Sequence, residues 1–422
     1  MHDHRKLGRE LDIFDTDRLI GAGLPYWLPA GAAIRQALED YVRGAERRAG
    51  YQHVYSPVLG KRELYEISGH WEHYRDGMYP PMTVGSDQDG EQVVLRPSLC
   101  PHHAVIYRSR ARSYRDLPLR LAELGGQYRS ELSGVLGGLT RVRAMQLNDA
   151  HIFCTGEQVG AEAAAALAMI RQAHRALGIE PSRYRLSLAS PAVAYAGGSG
   201  GSSPRANTVA GNREIRDRAT AILRDVLASA GIDYEAEEGE AAFYGPKIDV
   251  QVADSAEREA SIATIQVDFY QPERFALEYA GADGARHRPV MVHRSIIGSI
   301  ERQVAHLLDI HGGALPPWLA PVQLVVLPVS DDQRPQAEAM VRQATEQGLR
   351  AAIDGEDSLA SRIRAHRLVP YLAVIGKAEA SVGEASIRLR GGARVGALPI
   401  AEALARMSCQ VNAYSVDLWN AE

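Results

Sequence analysis

The sequence has little cysteine: three residues in a chain of 422, namely Cys100, Cys154 and Cys409. Three cysteines cannot form the disulfide framework that is typical of small secreted proteins, so a reducing compartment is the simplest expectation. The sequence also has no apolar run of about 18 residues that could span a bilayer, and its first residues lack the apolar centre of a signal peptide. We therefore expect a cytoplasmic protein with no membrane segment, in which any of the three cysteines could bind a metal.

The sequence has no excess of positive charge either. Its 47 basic and 52 acidic residues give a formal net charge of −5, so no global field attracts nucleic acid to the protein. Any contact with RNA must therefore be local. The densest basic stretch is interpreted mainly as a solvated surface, and it contains Arg108, Arg110, Arg112, Arg115, Arg120 and Arg129.

Length and a hydrophobic content of 45% indicate a globular protein of two to three domains. Apolar residues at helical spacing predict a helix over residues 31–49, and an alanine-rich segment predicts a second helix that ends at Gly178. The stretch PPMTVGSDQDGEQ is typical of a surface loop. Residues 190–212 are rich in glycine and serine and cannot bury enough apolar surface to order themselves, so we interpret them as a flexible insertion.

The pattern changes after Pro316 and Pro317. The run VQLVVLPV predicts a buried strand, a helix is predicted from about residue 331 to 347 with Gly348 after it, and YLAVIG predicts another buried strand. Strands that alternate with helices indicate a separate α/β domain of about one hundred residues.

The segment RVRAMQLNDAHIFC carries polar residues at every second position. Strand alternation predicts that six side chains share one face: Arg141, Arg143, Met145, Leu147, Asp149 and His151. In the same way, QYRSE predicts Arg129 and Glu131 on one side of a strand. Buried opposite charges are costly unless they bind a ligand or each other, so these residues are either a ligand site or a solvent-facing strand pair with surface ion pairs.

Six segments in order along the chain resemble the threonyl-tRNA synthetase family: RPSLCPHH, SYRDLPLRLAE, NDAHIFCT, FYGPKIDV, TIQVDF and PVMVHRSIIGSIER. Three positions resemble the signature motifs of class II aminoacyl-tRNA synthetases: the helix with Pro57, Arg129-x-Glu131, and GSIER ending at Arg302. The resemblance covers nearly the whole chain. It implies an α+β class II core, a mostly antiparallel sheet flanked by helices, over residues 1–315, and a smaller α/β anticodon-binding domain over residues 319–422. It also implies a homodimer formed through the first motif.

The activity that the resemblance implies is the ATP-dependent conversion of L-threonine to threonyl-adenylate and its transfer to tRNA(Thr). Arg129 would contact the α-phosphate and the substrate carboxylate, and Glu131 the adenine amino group. Arg141 and Arg302 would hold the outer phosphates, with Mg²⁺ screening the triphosphate. Guanidinium groups suit this role because they donate bidentate, permanently charged hydrogen bonds. We expect Arg129, Glu131 and Arg302 to carry catalysis, with Met145 and Gln266 completing the ATP site.

The resemblance also assigns one Zn²⁺ per subunit to Cys100, His151 and His293. A metal that binds both the α-amino and the β-hydroxyl groups would reject valine, which lacks the hydroxyl. Asp149 would accept a hydrogen bond from that hydroxyl, and Cys154 would face away from the metal because of strand alternation. The remaining amino-acid pocket would contain Tyr244, Lys247, Gln266, Leu147 and Ser98.

Several positions depart from the family pattern. Six of them lie in or near the implied pocket: Ser98, Leu99, Gly137, Met145, Leu147 and Asn148. A seventh, Gln271, stands where the family commonly has leucine. The changes keep the metal ligands and the phosphate arginines but are expected to remove polar contacts near the amino acid. They therefore leave open a specialised paralogue, which would be either inhibitor-resistant or able to load threonine or serine onto a carrier or metabolite; a non-catalytic RNA-binding regulator is a further alternative.

In the last domain, Arg364, Glu379 and Arg388 match positions that the family uses to read the anticodon, although each could also be an ordinary surface charge. The segment GEDSLAS replaces the family's basic anticodon loop and is acidic, which disfavours contact with phosphate. Because the chain begins where the family's core begins, we expect the N-terminal and editing domains to be absent.

Overall fold

The computed structural model describes residues 2–85, 90–189, 213–253 and 259–419. The predicted flexible insertion at residues 190–212 lies outside the described residues. The helices are α1 His4–Glu10, α2 Pro29–Arg48, α3 Arg62–Ile67, α4 His70–His73, α5 Cys100–Arg108, α6 Val159–Leu177, α7 Arg213–Ser229, α8 Tyr270–Arg274, α9 Ile300–His311, α10 Arg334–Glu346, α11 Leu359–Ala365, α12 Lys377–Val382 and α13 Ile400–Asn412.

An eight-stranded sheet forms the centre of the larger part of the chain, in the order β10-β9-β11-β12-β15-β8-β7-β3. The outer pairs β9–β10 and β3–β7 are parallel, and the other neighbours are antiparallel. The strands up to residue 295 are β1 Phe14–Asp15, β2 Tyr26–Trp27, β3 Gln52–His53, β4 Leu59–Lys61, β5 Met82–Val84, β6 Glu91–Leu95, β7 Leu119–Tyr128, β8 Ala144–Cys154, β9 Arg183–Leu188, β10 Tyr234–Glu238, β11 Lys247–Ala253, β12 Glu259–Asp268, β13 Tyr279–Ala280, β14 Arg286–His287 and β15 Val290–Ser295.

The two faces of the central sheet have different neighbours. On β8, Ala150, Ile152 and Cys154 join a buried apolar cluster with residues of helices α2, α6 and α9. Because successive side chains of a strand point to opposite faces, the residues between them turn away from these helices. That second face carries Asp149 and His151, and it is where polar side chains converge.

The strands predicted for the segments QYRSE and RVRAMQLNDAHIFC include residues that the structure places outside the strands. The ladder between β7 and β8 ends at the pair Tyr128 and Ala144, so Arg129 and Glu131, like Arg141 and Arg143, lie in the connection between the strands. The connection turns at Gly138, whose positive φ of 59° favours glycine. Strand alternation therefore does not decide where these four charged side chains point.

The helix predictions are confirmed. The helix predicted over residues 31–49 is α2, and α6 ends at Gly178, which has a φ of 66°. The helix predicted from residue 331 begins as a short 3₁₀ turn and continues as α10, with Pro335 in its first turn. The predicted loop PPMTVGSDQDGEQ is partly wrong, because it contains β5, which pairs with β6.

The last part of the chain folds on a sheet of its own, in the order β17-β16-β18-β19-β20. The three strands β16, β17 and β18 are parallel, and β19 and β20 are antiparallel additions. A buried apolar cluster of this part packs helices α10 and α13 on the sheet. The strands are β16 Leu324–Pro328, β17 Ala351–Ile353, β18 Tyr371–Ile375, β19 Glu384–Leu389 and β20 Arg394–Pro399.

Among the helices of the described residues, none combines the length and the apolar character that crossing a bilayer requires.

His174 on α6 predicts an acid-sensitive core. Its ring is 2% exposed and neither ring nitrogen has a hydrogen-bond partner; burial, aided by the charge of His306, lowers its pKa to about 4. The folded state disfavours the protonated ring. The free energy of unfolding is therefore at its full value above pH 6.5 and decreases as the pH falls from 6.5 towards 4. We expect His174→Leu to remove about 3 kcal/mol of that loss, measured by urea unfolding across this pH range. The exposed His287→Leu is the control, and equal pH profiles for the two variants would contradict the assignment.

Candidate active site

A cavity of about 350 Å³ opens on the polar face of the central sheet. Its walls come from β7, β8, β11, β12 and β15 and from the start of α9. Ten of the residues singled out from the sequence line it: Ser98, Arg129, Met145, Leu147, Asp149, Tyr244, Lys247, Gln266, His293 and Arg302. The sheet therefore brings together positions that are as much as two hundred residues apart in the chain.

At one end of the cavity, Cys100, His151 and His293 form a buried cluster. Each offers one ligand atom, and these atoms all lie within 4.8 Å of one another. Cys100 begins α5, while His151 on β8 stands directly opposite His293 on β15. The two imidazole rings are 4.6 Å apart between centroids, so the three predicted metal ligands converge.

The donors in this cluster fit a zinc ion. Thiolate sulfur and imidazole nitrogen are the ligand atoms by which proteins commonly bind zinc. The Nε2 atom of His151 is buried and has no hydrogen-bond partner, whereas the Nε2 atom of His293 lies 2.8 Å from Asp268 Oδ2. Burial keeps His151 neutral by lowering its pKa well below the usual value, and it raises the pKa of the Cys100 thiol. A bound dication would favour the thiolate that burial alone disfavours.

Cys154 does not belong to this cluster. Its side chain lies in the apolar layer under the helices, and its Sγ is 3.8 Å from the carbonyl oxygen of Val290. The prediction that strand alternation turns Cys154 away from His151 is confirmed.

Next to the cluster, the cavity has the groups that a small polar substrate would need. The ring of Tyr244 stacks on His293 at 4.7 Å, and its hydroxyl donates a hydrogen bond to Gln266. Gln127 Nε2 donates to Asp149 Oδ2 at 3.4 Å, and burial raises the pKa of Asp149. Buried acceptors that have few partners within the protein are suited to binding a ligand hydroxyl or amine.

At the other end, two arginines lie without carboxylate partners. In the described ranges of the chain, neither Arg129 nor Arg302 forms an ion pair, and the Nε atom of Arg129 has no partner. Arg302 donates to backbone carbonyls, of Thr140 at 3.2 Å and Ser261 at 3.0 Å. Burial, together with the charges of Arg129 and Arg141, lowers the pKa of Arg302. Guanidinium groups that repel one another in a cavity favour a multiply charged anion.

Of the predicted nucleotide-binding residues, Glu131 and Arg141 do not line the cavity. Arg141 donates to Glu131 Oε2 at 2.9 Å in the connection between β7 and β8. By contrast, Lys247, predicted for the amino-acid pocket, lines the cavity, and its Nζ atom lies 2.8 Å from Asp249 Oδ2. The structure thus gives Glu131 and Arg141 each other as partners.

Asn148 was counted among the changes that remove polar contacts near the amino acid, but it does not line the cavity. Asn148 is fully buried on the helical side of β8, where its Nδ2 donates to Glu46 Oε1 at 2.8 Å. Glu46 on α2 also forms a 2.7 Å ion pair with Arg294. Burial alone would raise the pKa of Glu46, but the charge of Arg294 and its hydrogen bonds lower it. The carboxylate that balances Arg294 therefore comes from a helix far away in the sequence.

Sequence reasoning missed the residues that lie behind the Cys–His–His cluster. His103 Nδ1 lies 2.8 Å from His151 Nδ1, and Glu123 Oε2 lies 3.3 Å from His103 Nε2. A signal for Glu123 existed, since it is the acidic residue in the otherwise largely apolar run LRLAELGG. Gln271, noted as a departure, is fully buried and donates to Asp268 Oδ2 at 3.0 Å.

Comparison with known families gives two matches. Residues 83–311 match the model described as tRNA synthetase class II core domain (G, H, P, S and T). Residues 323–410 match the model described as anticodon binding domain.

Among characterised relatives, the chain is 44% identical to threonine–tRNA ligase 1 of Bacillus subtilis (strain 168) over 393 residues, which are 92% of this chain and 59% of that protein. It is 42% identical to threonine–tRNA ligase of Geobacillus sp. (strain WCH70) over 413 residues, which are 97% of this chain and 62% of that protein. The chain therefore spans about three fifths of the length of these relatives.

Solved structures show the same fold. The RNA binding domain of threonyl-tRNA synthetase from Cryptosporidium parvum Iowa II has a TM-score of 0.86 at 33% identity, covering 97% of this chain and 98% of that one. The putative threonyl-tRNA synthetase ThrRS-1 from Aeropyrum pernix has a TM-score of 0.81 at 27% identity, covering 99% and 97%. Prolyl-tRNA synthetase of Giardia lamblia, at 17% identity and a TM-score of 0.71 with 98% and 79% covered, shares the fold.

The Glu46–Arg294 pair gives a stability prediction for the wall of the cavity. We expect Glu46→Gln to cost about 3 to 5 kcal/mol in the free energy of unfolding, because it leaves the guanidinium of Arg294 buried without its countercharge. Glu39→Gln on the same helix, where Glu39 pairs with the half-buried Arg35, should cost below about 1 kcal/mol. Urea unfolding at pH 7 measures both variants. Similar losses would show that the buried pair has no special weight.

Proposed function

Because the chain belongs to the class II tRNA synthetases, among the threonyl-tRNA synthetases, we propose that it activates L-threonine with ATP and transfers the threonyl group to tRNA(Thr). The observation that carries this proposal is a single cavity with two ends. A Cys–His–His cluster suited to a metal lies at one end, and at the other lie two arginines that have no carboxylate partner among the residues described by the structure. An amino acid and a nucleotide triphosphate would meet between them.

In the proposed domain organisation, residues 1–315 form the catalytic domain and residues 319–422 form the anticodon-binding domain. Its support is the pair of separate sheets, each with its own apolar cluster, and the two family matches over residues 83–311 and 323–410.

In the first step, a carboxylate oxygen of threonine would attack the α-phosphorus of ATP. The bond between that phosphorus and the bridging oxygen to the β-phosphate breaks, so that threonyl-adenylate forms and pyrophosphate leaves with Mg²⁺. Arg129 would hold the α-phosphate and the carboxylate, while Arg302 would hold the outer phosphates. Both guanidinium groups are already positioned, so they can stabilise the charge of the transition state without first breaking an ion pair.

The nucleotide base would lie beside Met145, which lines the cavity. Glu131 would accept from the adenine amino group and Arg141 would move to a phosphate. Both moves require their mutual 2.9 Å ion pair to open. The Arg141 side chain is 51% exposed to solvent, so opening the pair costs about 1 kcal/mol or less.

The amino acid would lie beside the Cys–His–His cluster. Cys100, His151 and His293 would hold Zn²⁺, which would supply coordination to the amino and hydroxyl groups of threonine. Asp149 would accept the hydrogen bond of the substrate hydroxyl. The remaining contacts of the amino acid would come from Ser98, Leu147, Tyr244, Lys247 and Gln266.

In the second step, a hydroxyl of the terminal ribose of tRNA would attack the threonyl carbonyl, and AMP would leave. For binding the tRNA, a second cavity of about 530 Å³ in the last part of the chain carries four arginines: Arg364, Arg367, Arg388 and Arg390. Two of them were predicted from the sequence. Glu379 lies outside this cavity and caps α12, since it accepts from the Gly376 amide at 3.0 Å and the Ser386 hydroxyl at 2.8 Å. We assign contacts with anticodon bases to Arg364 and Arg388. Glu379 could contact a base only if it gave up one of its two capping hydrogen bonds.

We also propose that the protein is a homodimer through the surface around Pro57. Tyr55 is 81% exposed there, and Val58 and Leu59 are exposed beside it. Met82 and Val84 are exposed on β5, which belongs to the same three-stranded sheet as β4. Several exposed apolar side chains on one small sheet and the segment before it favour a protein interface.

Pyrophosphate exchange combined with metal analysis tests the proposed activation. We expect threonine to drive ATP–pyrophosphate exchange, serine to drive it more weakly and valine hardly at all, with one zinc per chain. Cys100→Ala should lose the zinc and reduce exchange by about 100-fold or more, because it removes a ligand of the metal that orients the substrate. Cys154→Ala, a matched cysteine on the other face of β8, should keep both. Exchange that is equal with valine and threonine, or that persists in Cys100→Ala, would contradict the proposal.

Charging of tRNA tests the assignment of the second cavity. We expect Arg388→Ala to lower kcat/KM for tRNA charging by about 10- to 100-fold, as is typical of a lost base contact of 1–3 kcal/mol, and to leave pyrophosphate exchange unchanged. Arg334→Ala is the control, since Arg334 is an exposed arginine on α10 that pairs with Glu338. Loss of exchange in Arg388→Ala, or equal charging by both variants, would refute the assignment.

A further inference from the structure

A line of buried hydrogen bonds runs from β7 to the metal cluster. It begins at Glu123, whose Oε2 is 3.3 Å from His103 Nε2, and continues from His103 Nδ1 to His151 Nδ1 over 2.8 Å. The two histidines are 0% exposed and Glu123 is 3% exposed. Neither His103 nor Glu123 lines the cavity, so neither is placed to touch a substrate.

Glu123 can only accept hydrogen bonds in this line. Its Oε1 receives Arg96 Nη2 at 3.1 Å and the Ser56 amide at 3.2 Å, and its Oε2 receives the Ser56 hydroxyl at 2.6 Å. The guanidinium of Arg96, 1% exposed, already balances the carboxylate. Because the carboxylate has no hydrogen to give, the Nε2 atom of His103 must be the donor to Oε2, and Nδ1 is the ring atom that meets His151.

These constraints give the line a direction. A neutral His103 that donates from Nε2 to Glu123 has a lone pair on Nδ1. His151 must then carry its proton on Nδ1 and donate it to His103. The lone pair of His151 is left on Nε2, which is the buried atom without a partner at the metal cluster.

We propose that Glu123 and His103 are positioning residues that fix the tautomer and the orientation of His151 for metal binding. This inference rests on the proposed zinc site. The other imidazole of the site is fixed by a shorter route, since His293 Nε2 meets the carboxylate of Asp268 directly at 2.8 Å. Both ligands therefore end on a buried carboxylate, one of them through an intervening imidazole, and such partners outside the ligand set typically raise metal affinity about 10- to 100-fold.

Glu123→Gln tests the direction of the line. The amide oxygen must take the Oε1 position, because Arg96 and the Ser56 amide can only donate there. The amide nitrogen then faces His103 and donates to its Nε2, so His103 carries its proton on Nδ1 and donates to His151. The proton of His151 moves to Nε2 and blocks the metal. We expect the zinc affinity to fall about 10- to 100-fold.

The measurements are zinc affinity by competition with a chromophoric chelator, the visible absorption spectrum of the Co²⁺-substituted protein, and urea unfolding of the metal-free protein. Glu162→Gln is the matched control, because Glu162 is also a buried carboxylate with one arginine partner, Arg120, at 2.6 Å. It should unfold with a comparable loss of stability and keep the zinc affinity and the Co²⁺ spectrum of the wild type.

Variants of His103 test the line without disturbing the pair of Arg96 and Glu123. His103→Asn offers an acceptor oxygen close to the position of Nδ1, so it should keep most of the zinc affinity. His103→Leu offers none and should lose about 10- to 100-fold. A role in packing alone would predict the opposite order, since leucine is the better apolar filler.

The outcomes separate this proposal from the function on which it rests. Tight zinc binding by the wild type together with unchanged affinity in Glu123→Gln would overturn the positioning role and leave the proposed function intact. An equal loss in Glu162→Gln, or equal affinities of the two His103 variants, would also overturn it. A wild type without zinc affinity would remove the metal site and the positioning role together.

Discussion

The register of β8 against β15 is the constraint on which the site depends. This register places His151 directly opposite His293, and side chains on one face of a strand recur at every second residue. A slip of one residue would turn His151 into the apolar layer under the helices. Asn148 stabilises this register from the helical face of the sheet, because it accepts hydrogen bonds from the hydroxyl of Ser295 and the amide of Ile296.

The two faces of the sheet compensate buried charge in different ways. Behind the sheet, Arg294 is balanced by Glu46 within the protein, so this pair needs nothing from outside. In the cavity, Arg129 and Arg302 have no carboxylate partner within the described ranges, and their mutual repulsion raises the free energy of the protein without ligand. An anion that binds between them recovers this cost, which is why the same residue type stabilises structure on one face and favours binding on the other.

Local patterns in the sequence were sufficient for the elements that depend on neighbouring residues. The period of apolar residues predicted α2, and Gly178 predicted the end of α6, because a left-handed residue after a helix favours glycine. Alternation along β8 correctly separated Asp149 and His151 from Cys154. It failed at Arg129 and Arg141, since the point where a ladder ends depends on the partner strand and the turn between the two strands, which neither segment reveals alone.

The side-chain contacts behind and beside the cavity could not be predicted, because they join segments that are distant in the sequence. On the helical face, Glu46 accepts a hydrogen bond from Asn148 at a separation of 102 residues, and no spacing rule connects them. The spacing of Cys100, His151 and His293 was equally uninformative, and only resemblance to a family indicated that they meet. Once the sheet has formed, however, their convergence follows from two local facts, the opposition of His151 and His293 in the ladder and the start of α5 at Cys100. The folding of the whole sheet therefore offsets the entropy cost of closing these long loops, and bringing the three side chains together adds little further ordering cost.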